Sequence, residues 1–146
     1  MEVYPFLFEP NLHTVVWGGH QLRPYKGLTP SDEPIGESWE VSAVPTSTSI
    51  ISNGAEQGRD LVSVISEAPE AILGKAVNQK YEGQLPLLVK FIDAQRDLSI
   101  QVHPNDEMAQ REHGKTRLLD AFIDNMDRSV SGRLSRFMHF EINNSK

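Results

Sequence analysis

The amino-acid sequence predicts a mainly β protein with a small helical insertion. Residues 36–44 and 97–103 alternate between apolar and polar side chains, and residues 85–94 form an almost unbroken apolar run. Alternation with a period of two is typical of a strand covered on one face, whereas a short apolar run is typical of a strand covered on both faces. Residues 61–73 instead carry apolar side chains at helical spacing. A chain of 146 residues is long enough to bury a core of its own.

Three strands are predicted in the first part of the chain. Residues 4–9 and 48–52 are short β runs, and Asn53 with Gly54 predicts a turn after the second of them, as in a hairpin. In the strand at 36–44 the apolar residues are expected to face the core and the polar residues to face away from it. The two sets are Trp39, Val41 and Ala43 on the core face, and Ser38, Glu40 and Ser42 on the other.

Glycine, proline and aspartate mark the boundaries between these elements. The two glycines at 18–19 predict a turn or a close approach of two backbone segments. Residues 23–36 contain three of the nine prolines and are predicted to form a loop. Asp60 is a suitable N-cap for the helix that follows it. Pro69 is expected to begin a second short helix, which Gly74 ends.

Composition argues against several classes of function. The net charge is −6 and no basic stripe is present, which argues against nucleic acid as a partner. No apolar run approaches the roughly 20 residues of a membrane-spanning helix, and the first ten residues lack the basic region of a secretory signal. The chain has no cysteine, so a metal site would use His, Gln, Asp or Glu. We therefore expect a cytoplasmic protein with no membrane and no nucleic-acid partner.

Candidate chemistry is concentrated in the strand at 97–103 and in the apolar run before it. A period of two places Ser99, Gln101 and His103 on one face of that strand, opposite an apolar face. Such a polar row either lines a site or faces solvent. Lys90 lies inside the apolar run, where its charge must reach solvent at an edge or face a polar cavity, because an unpaired buried charge is costly. A lysine near the polar row would suit an anionic ligand, and the pattern leaves both interpretations open.

Five segments in a fixed order resemble a known enzyme family. They are VWGG at 16–19, IGESWEVSA at 35–43, PLLVKFIDA at 86–94, LSIQVHPND at 98–106 and GKT at 114–116. Together they resemble type I mannose-6-phosphate isomerase, in its short bacterial form, over about residues 4–116. The resemblance implies the N-terminal part of a zinc-dependent enzyme that interconverts mannose 6-phosphate and fructose 6-phosphate. It also implies a partial cupin-type (jelly-roll) β-barrel at 1–116, followed by a divergent tail at 117–146.

The resemblance also assigns roles to particular residues. The matched positions are the zinc ligands Gln101 and His103, the catalytic lysines of the pocket Lys90 and Lys115, and the substrate-binding serine Ser99. Trp17 lies in a family motif and is expected either to pack or to contact the substrate. Glu37 and Glu40 either line the pocket or belong to a charged face of the sheet.

One position departs from the pattern of the family. There, a glutamate that ligates zinc follows GKT, whereas this chain has Arg117, and a cation cannot ligate zinc. The fourth ligand, a histidine, and a catalytic arginine come from a later part of the family chain that this sequence lacks. We therefore expect a truncated and impaired isomerase that self-associates through uncovered sheet edges. The alternatives are a catalytically silent cupin-like remnant that binds sugar phosphate or metal, and a small β domain with a structural role.

Overall fold

A computed structural model of the chain describes residues 3–97, 118–123 and 136–143. These residues form a sheet of five strands in the order β1-β2-β3-β5-β4, and each neighbouring pair is antiparallel. The strands are β1 Leu12–His13, β2 Glu37–Val41, β3 Leu87–Asp93, β4 Leu118–Ile123 and β5 Arg136–Asn143. The prediction of a mainly β fold with a small helical insertion is confirmed. Within the described ranges, no helix is long and apolar enough to cross a membrane.

β3 is the central strand of the sheet and confirms the strand predicted at 85–94. It pairs with β2 on one side and with β5 on the other, where the ladder runs from Leu87 to Asp93. Leu88, Lys90 and Ile92 are buried, whereas the residues that alternate with them, Leu87, Val89 and Phe91, are half-buried. One face of β3 is therefore covered more fully than the other. The tail predicted at 117–146 contributes β4 and β5 to this same sheet.

Four short helices accompany the sheet in the described residues. They are α1 Leu22–Tyr25, α2 Leu61–Glu67, α3 Pro69–Leu73 and α4 Lys75–Tyr81. The Asp60 side chain caps α2 by accepting the backbone N–H of Ser63 at 2.9 Å, as predicted. Pro69 is the first residue of α3, and Gly74 ends it with a φ of 77°. The predicted boundaries of the helical insertion are thus confirmed.

Two of these helices are not predicted by the sequence pattern. α1 lies across the start of the loop predicted at 23–36, and it buries Leu22. α4 occupies a polar stretch, KAVNQKY, in which Tyr81 is the buried residue. A stripe of apolar residues on one helical face is the signal that was absent from both segments.

Two predicted strands do not form as regular strands. In the segment at 4–9, Phe8 forms an isolated bridge to Ile51, and in the segment at 48–52, Ile50 forms another to Asp60. Gly54 has a φ of 66°, which agrees with the predicted turn. Ile51 is completely buried, so this part of the chain contributes to the core although it lacks a continuous ladder.

The prediction of which face of β2 is buried is wrong. Ser38 is completely buried, whereas Trp39, on the other face, is half-buried, and Ser42, directly after β2, is also completely buried. The Ser38 hydroxyl donates to a carboxylate oxygen of Glu40 at 2.6 Å, and the backbone N–H of Ser42 donates to the Ser49 hydroxyl at 2.8 Å. Buried polar groups that form such hydrogen bonds are tolerated in a core. Residue type alone therefore gave the wrong orientation.

A β-bulge interrupts the pairing of β2 with β3. Trp39 lies opposite Lys90 and Val41 lies opposite Val89, so Glu40 is an extra residue in the strand. A bulge of this kind disrupts the ladder locally and increases the twist of the strand. Glu40 projects from the same side of the sheet as Ser38, as alternation with Trp39 predicts, and the bulge shifts the pairing of the residue that follows it.

α1 covers that side of the sheet, which we call the helix face. Lys26, directly after α1, donates to both carboxylate oxygens of Glu40, at 2.8 and 2.7 Å. Tyr25 packs edge-to-face on Phe91 of β3, with ring centroids 5.5 Å apart. Since Ser38 is buried beneath this layer, the helix face of β2 and β3 is closed by local packing and one ion pair.

Candidate functional site

The face of the sheet opposite α1 carries four polar or aromatic side chains. Residues directly opposite each other in antiparallel strands project to the same side. His13 of β1 lies opposite Glu37 of β2, and Trp39 of β2 lies opposite Lys90 of β3. Glu37 and Trp39 are two residues apart in one strand, so all four project from one side. We call this set, His13, Glu37, Trp39 and Lys90, the site face.

Lys90 is buried in this face. It lies between Leu88 and Ile92, which are also buried, and only 8% of Lys90 is exposed. Its Nζ donates to Oε1 of Glu37 at 3.2 Å, and the two side chains are 10% and 14% exposed. A buried ammonium without a counter-charge would bear a large desolvation cost. The structure thus resolves the alternatives for Lys90, because its charge is compensated by an ion pair inside the sheet.

Glu37 receives a different donor on each of its carboxylate oxygens. Oε1 accepts from Lys90, and Oε2 accepts from the indole Nε1–H of Trp39 at 2.7 Å. A carboxylate that accepts one bond on each oxygen is fixed in rotation as well as in position. The sequence left Glu37 and Glu40 equally open as pocket groups. The structure separates them, since Glu37 belongs to the site face and Glu40 to the helix face.

His13 closes one end of the site face. Its ring stacks on Trp39 with centroids 4.1 Å apart and an interplanar angle of 26°. Its Nε2 lies 3.3 Å from the hydroxyl oxygen of Ser47. The pKa of His13 is lowered below its ordinary value of 6.5, and burial of the ring is the main cause. The negative charge of Glu37 raises the pKa by less than burial lowers it, and the positive charge of Lys90 lowers the pKa further. A lowered pKa favours the neutral imidazole at neutral pH.

Asp93 holds the predicted glycine turn against the end of β3. It is 5% exposed, and its Oδ2 accepts the backbone N–H of Gln21 at 2.7 Å. Its carbonyl oxygen accepts the N–H of Gly19 at 3.0 Å, and a Cβ built on Gly19 would lie 2.5 Å from the Asp93 carboxylate. The predicted close approach of two backbone segments is confirmed. Sequence reasoning missed Asp93, for which the signal was an acidic residue ending an apolar strand.

Trp17 lies near the same end of the sheet. A Cβ built on Gly36 would be 2.7 Å from the Trp17 ring, so the ring packs closely over that glycine. Gly36 directly precedes Glu37, and strand alternation directs its Cβ position away from the site face. The carbonyl oxygen of Trp17 accepts the N–H of Gln95 at 2.9 Å, which fixes the chain after β3. These are packing contacts, and substrate contact by Trp17 stays a prediction.

The other predicted site residues lie outside the described residues. They are Ser99, Gln101, His103 and Lys115, together with Arg117. Within the ranges 3–97, 118–123 and 136–143, no group of three or more His, Cys, Asp or Glu side chains could hold a metal ion. The assignment of zinc to Gln101 and His103 therefore remains a prediction from the resemblance.

Comparison with protein families and curated proteins gives consistent matches. The profile of the family described as "Phosphomannose isomerase type I, catalytic domain" matches residues 6–125. The probable mannose-6-phosphate isomerase GmuF of Bacillus subtilis is 38% identical over 107 residues, which are 73% of this chain and 32% of that protein. The mannose-6-phosphate isomerase of Streptococcus mutans is 33% identical over 111 residues, which are 76% and 34% of the two chains. This chain thus spans about a third of the length of the curated relatives it matches.

Solved structures give the same result for the fold. The crystal structure of mannose 6-phosphate isomerase from Bacillus subtilis matches with a TM-score of 0.68 and 31% identity, over 81% of this chain and 36% of that one. A mannose 6-phosphate isomerase bound with zinc and yttrium matches with a TM-score of 0.62 and 30% identity, over 73% and 26% of the two chains. With the open antiparallel sheet, these neighbours confirm the expected partial cupin-type fold.

Proposed function

Because this chain belongs to the type I phosphomannose isomerase family, we propose that it forms part of an isomerase that interconverts mannose 6-phosphate and fructose 6-phosphate. The chain spans about a third of its curated relatives, so the reaction is proposed for the site to which the site face contributes. The observation that carries the proposal is the buried ion pair between Glu37 and Lys90 on that face, with 3.2 Å between its charged atoms.

The proposed reaction requires positive charge at a fixed position. Moving a proton between C1 and C2 of an open-chain sugar passes through an enediol, and negative charge grows on a sugar oxygen. A donor held in advance near that oxygen stabilises the charge without reorganising during the reaction. Lys90 is suited to this role because it is buried between Leu88 and Ile92, where its field is screened less than in water. Glu37 holds the ammonium in place through their ion pair.

We propose zinc as the cofactor, held by Gln101 and His103. The support is the family pattern in the sequence and the zinc-bound relative among the structural neighbours. An imidazole nitrogen is a ligand that zinc commonly takes. When bound, zinc would supply a Lewis acid for the sugar oxygens. We propose further that Ser99 and Lys115 bind the sugar phosphate, and that Trp17 either joins them or only packs.

Arg117 favours a second candidate function, a domain that binds sugar phosphate or metal without turnover. It stands where the family has an anionic zinc ligand, so it removes an attractive charge and adds a repulsive one. We propose that the 146-residue polypeptide alone binds zinc weakly and has no measurable isomerase activity. Arg117→Glu should raise zinc affinity at least about tenfold, whereas Arg128→Glu, a matched change in the same tail, should not. Equal zinc affinities for the two variants would contradict this proposal.

We also propose a cellular location and an association state for the protein. A sugar-phosphate isomerase acts on a cytoplasmic metabolite, so we propose a cytoplasmic location. We propose self-association through the sheet edges, since β1 and β4 are the outer strands of the sheet in the described residues. Sedimentation velocity tests this directly, and a concentration-independent monomer would contradict self-association.

Ligand-induced stabilisation tests whether the site face binds the substrate. Mannose 6-phosphate at ten times its dissociation constant should stabilise the wild-type chain by about 1.4 kcal/mol, which corresponds to a rise in melting temperature of roughly 3–6 °C. Lys90→Met should abolish this rise. Lys26→Met is the matched control, because Lys26 forms the corresponding ion pair on the helix face. If the two variants respond to the ligand equally, the site face is not part of the pocket.

A further inference from the structure

Three side chains form a continuous series of polar contacts across β2 and β3. The indole Nε1–H of Trp39 donates to Oε2 of Glu37 at 2.7 Å, and the ammonium of Lys90 donates to Oε1 at 3.2 Å. Trp39 and Glu37 are two residues apart in one strand, whereas Lys90 is 53 residues away from Glu37 in sequence. The local contact within β2 thus sets the orientation of a carboxylate that holds a residue from β3.

The indole is itself held in place by β1. His13 stacks on it with centroids 4.1 Å apart, and Nε2 of His13 lies 3.3 Å from the hydroxyl oxygen of Ser47. Ser47 is fixed in turn, because its hydroxyl donates to the side-chain oxygen of Asn11 at 3.0 Å. A ring packed on one face and bonded at its edge has little rotational freedom, so its N–H direction is well defined.

We infer that Trp39 is a positioning residue that orients Lys90 through Glu37. This inference rests on the proposed function, since the role of Lys90 as a donor to the substrate comes from it. Without the indole donor, one oxygen of Glu37 loses its partner and the carboxylate regains freedom to rotate. The ammonium that it holds then samples more positions. Trp39 acts through Glu37 and needs no contact with the substrate.

The indole resonance provides the first test. The chain has two tryptophans, so two indole N–H signals are expected in a ¹⁵N–¹H spectrum, and Trp39→Phe assigns them. Glu37→Gln should shift the Trp39 indole signal, because it replaces a charged acceptor with a neutral one. Glu40→Gln is the matched control on the helix face, and it should leave that signal in place. An indole signal that responds equally to both changes, or to neither, would overturn the inference.

Amine labelling of Lys90 provides the second test and does not depend on Glu37 variants. Lys90 is 8% exposed, so a small acylating reagent should modify it far more slowly than the exposed Lys75. Trp39→Phe retains an aromatic ring for His13 but removes the donor. It should speed the labelling of Lys90 about two- to tenfold, the factor that corresponds to one lost hydrogen bond. Labelling of Lys26 should not change.

The internal comparison separates positioning from a general loss of stability. If Trp39→Phe only weakened the fold, the buried Lys90 and the partly buried Lys26 would both be labelled faster. Selective acceleration at Lys90 supports the inference, whereas unchanged labelling of Lys90 or equal acceleration of both lysines overturns it. Both tests are made without substrate. A failure to bind mannose 6-phosphate would therefore count against the proposed function and leave the positioning role intact.

Discussion

Replacing Glu37 with Gln measures how strongly the site face depends on its ion pair. Breaking a buried pair by removing one partner costs about 3–5 kcal/mol, because the other charge stays buried. Glu37 and Lys90 are 14% and 10% exposed, which places them close to that case. The glutamine oxygen can accept from Lys90 or from Trp39 but not from both, so part of the loss is recovered. We expect a loss in the free energy of unfolding of about 2–4 kcal/mol.

Urea denaturation with a matched variant is the appropriate assay. Glu40→Gln changes the same residue type in the same strand, but Glu40 and Lys26 are 26% and 19% exposed. Its cost should therefore be about 1 kcal/mol, closer to that of a surface pair. For a domain of this size, the difference in cost between Glu37→Gln and Glu40→Gln corresponds to roughly 3–10 °C in melting temperature. In the double variant Glu37→Gln with Lys90→Met, the two losses should not add, because the unpaired charge is gone. A loss for Glu37→Gln no larger than that for Glu40→Gln would refute this reasoning.

Three further predictions follow from single contacts. Gly19→Ala should cost at least about 2 kcal/mol in unfolding free energy, because its Cβ would lie 2.5 Å from the Asp93 carboxylate. Replacing Asp93 by Ala as well should reduce this cost. An unfolding free energy that Gly19→Ala leaves unchanged would contradict the prediction. Asp60→Ala should cost about 1 kcal/mol by removing the cap of α2, checked by urea denaturation at neutral pH. His13 has a lowered pKa, so the unfolded chain binds more protons than the folded chain as the pH falls below its ordinary value of 6.5. The wild type should thus lose more stability than His13→Phe between neutral and mildly acidic pH, and identical pH profiles of melting temperature would contradict this.

Local chemical signals predicted the helical insertion and the central strand. Asp60, Pro69 and Gly74 act within one turn of a helix, so their effects are visible in a short stretch of sequence. β3 was predictable because its apolar run is longer than any competing pattern nearby. α4 was missed because its stretch of chain is mostly polar. Its helical form depends on packing by Tyr81 rather than on a periodic pattern.

The errors in β2 and at the site face come from side-chain partners that residue type does not encode. Ser38 and Ser42 are buried with hydrogen bonds to Glu40 and Ser49, and alternation of residue type does not encode those partners. The sequence predicted that Lys90 reaches solvent at an edge or faces a polar cavity, but it did not identify Glu37, 53 residues earlier, as its partner. Alternation places Glu37 and Glu40 on opposite faces of β2, but it does not show which of the two faces carries Lys90. The pairing of Trp39 with Lys90, which puts Glu37 on the same side as that lysine, depends on the register between strands and has no signal within β2 itself.

Turnover by a chimera tests the central claim most directly. Residues 1–97 of this chain, which carry the complete site face, would replace the matching residues of the Bacillus subtilis mannose 6-phosphate isomerase. The chimera should convert mannose 6-phosphate to fructose 6-phosphate in a coupled assay. Lys90→Met in the chimera should lower kcat/KM at least about a hundredfold, whereas Lys26→Met should leave it within about threefold. A folded chimera that keeps its full activity after Lys90→Met would contradict the assignment of the site face to catalysis.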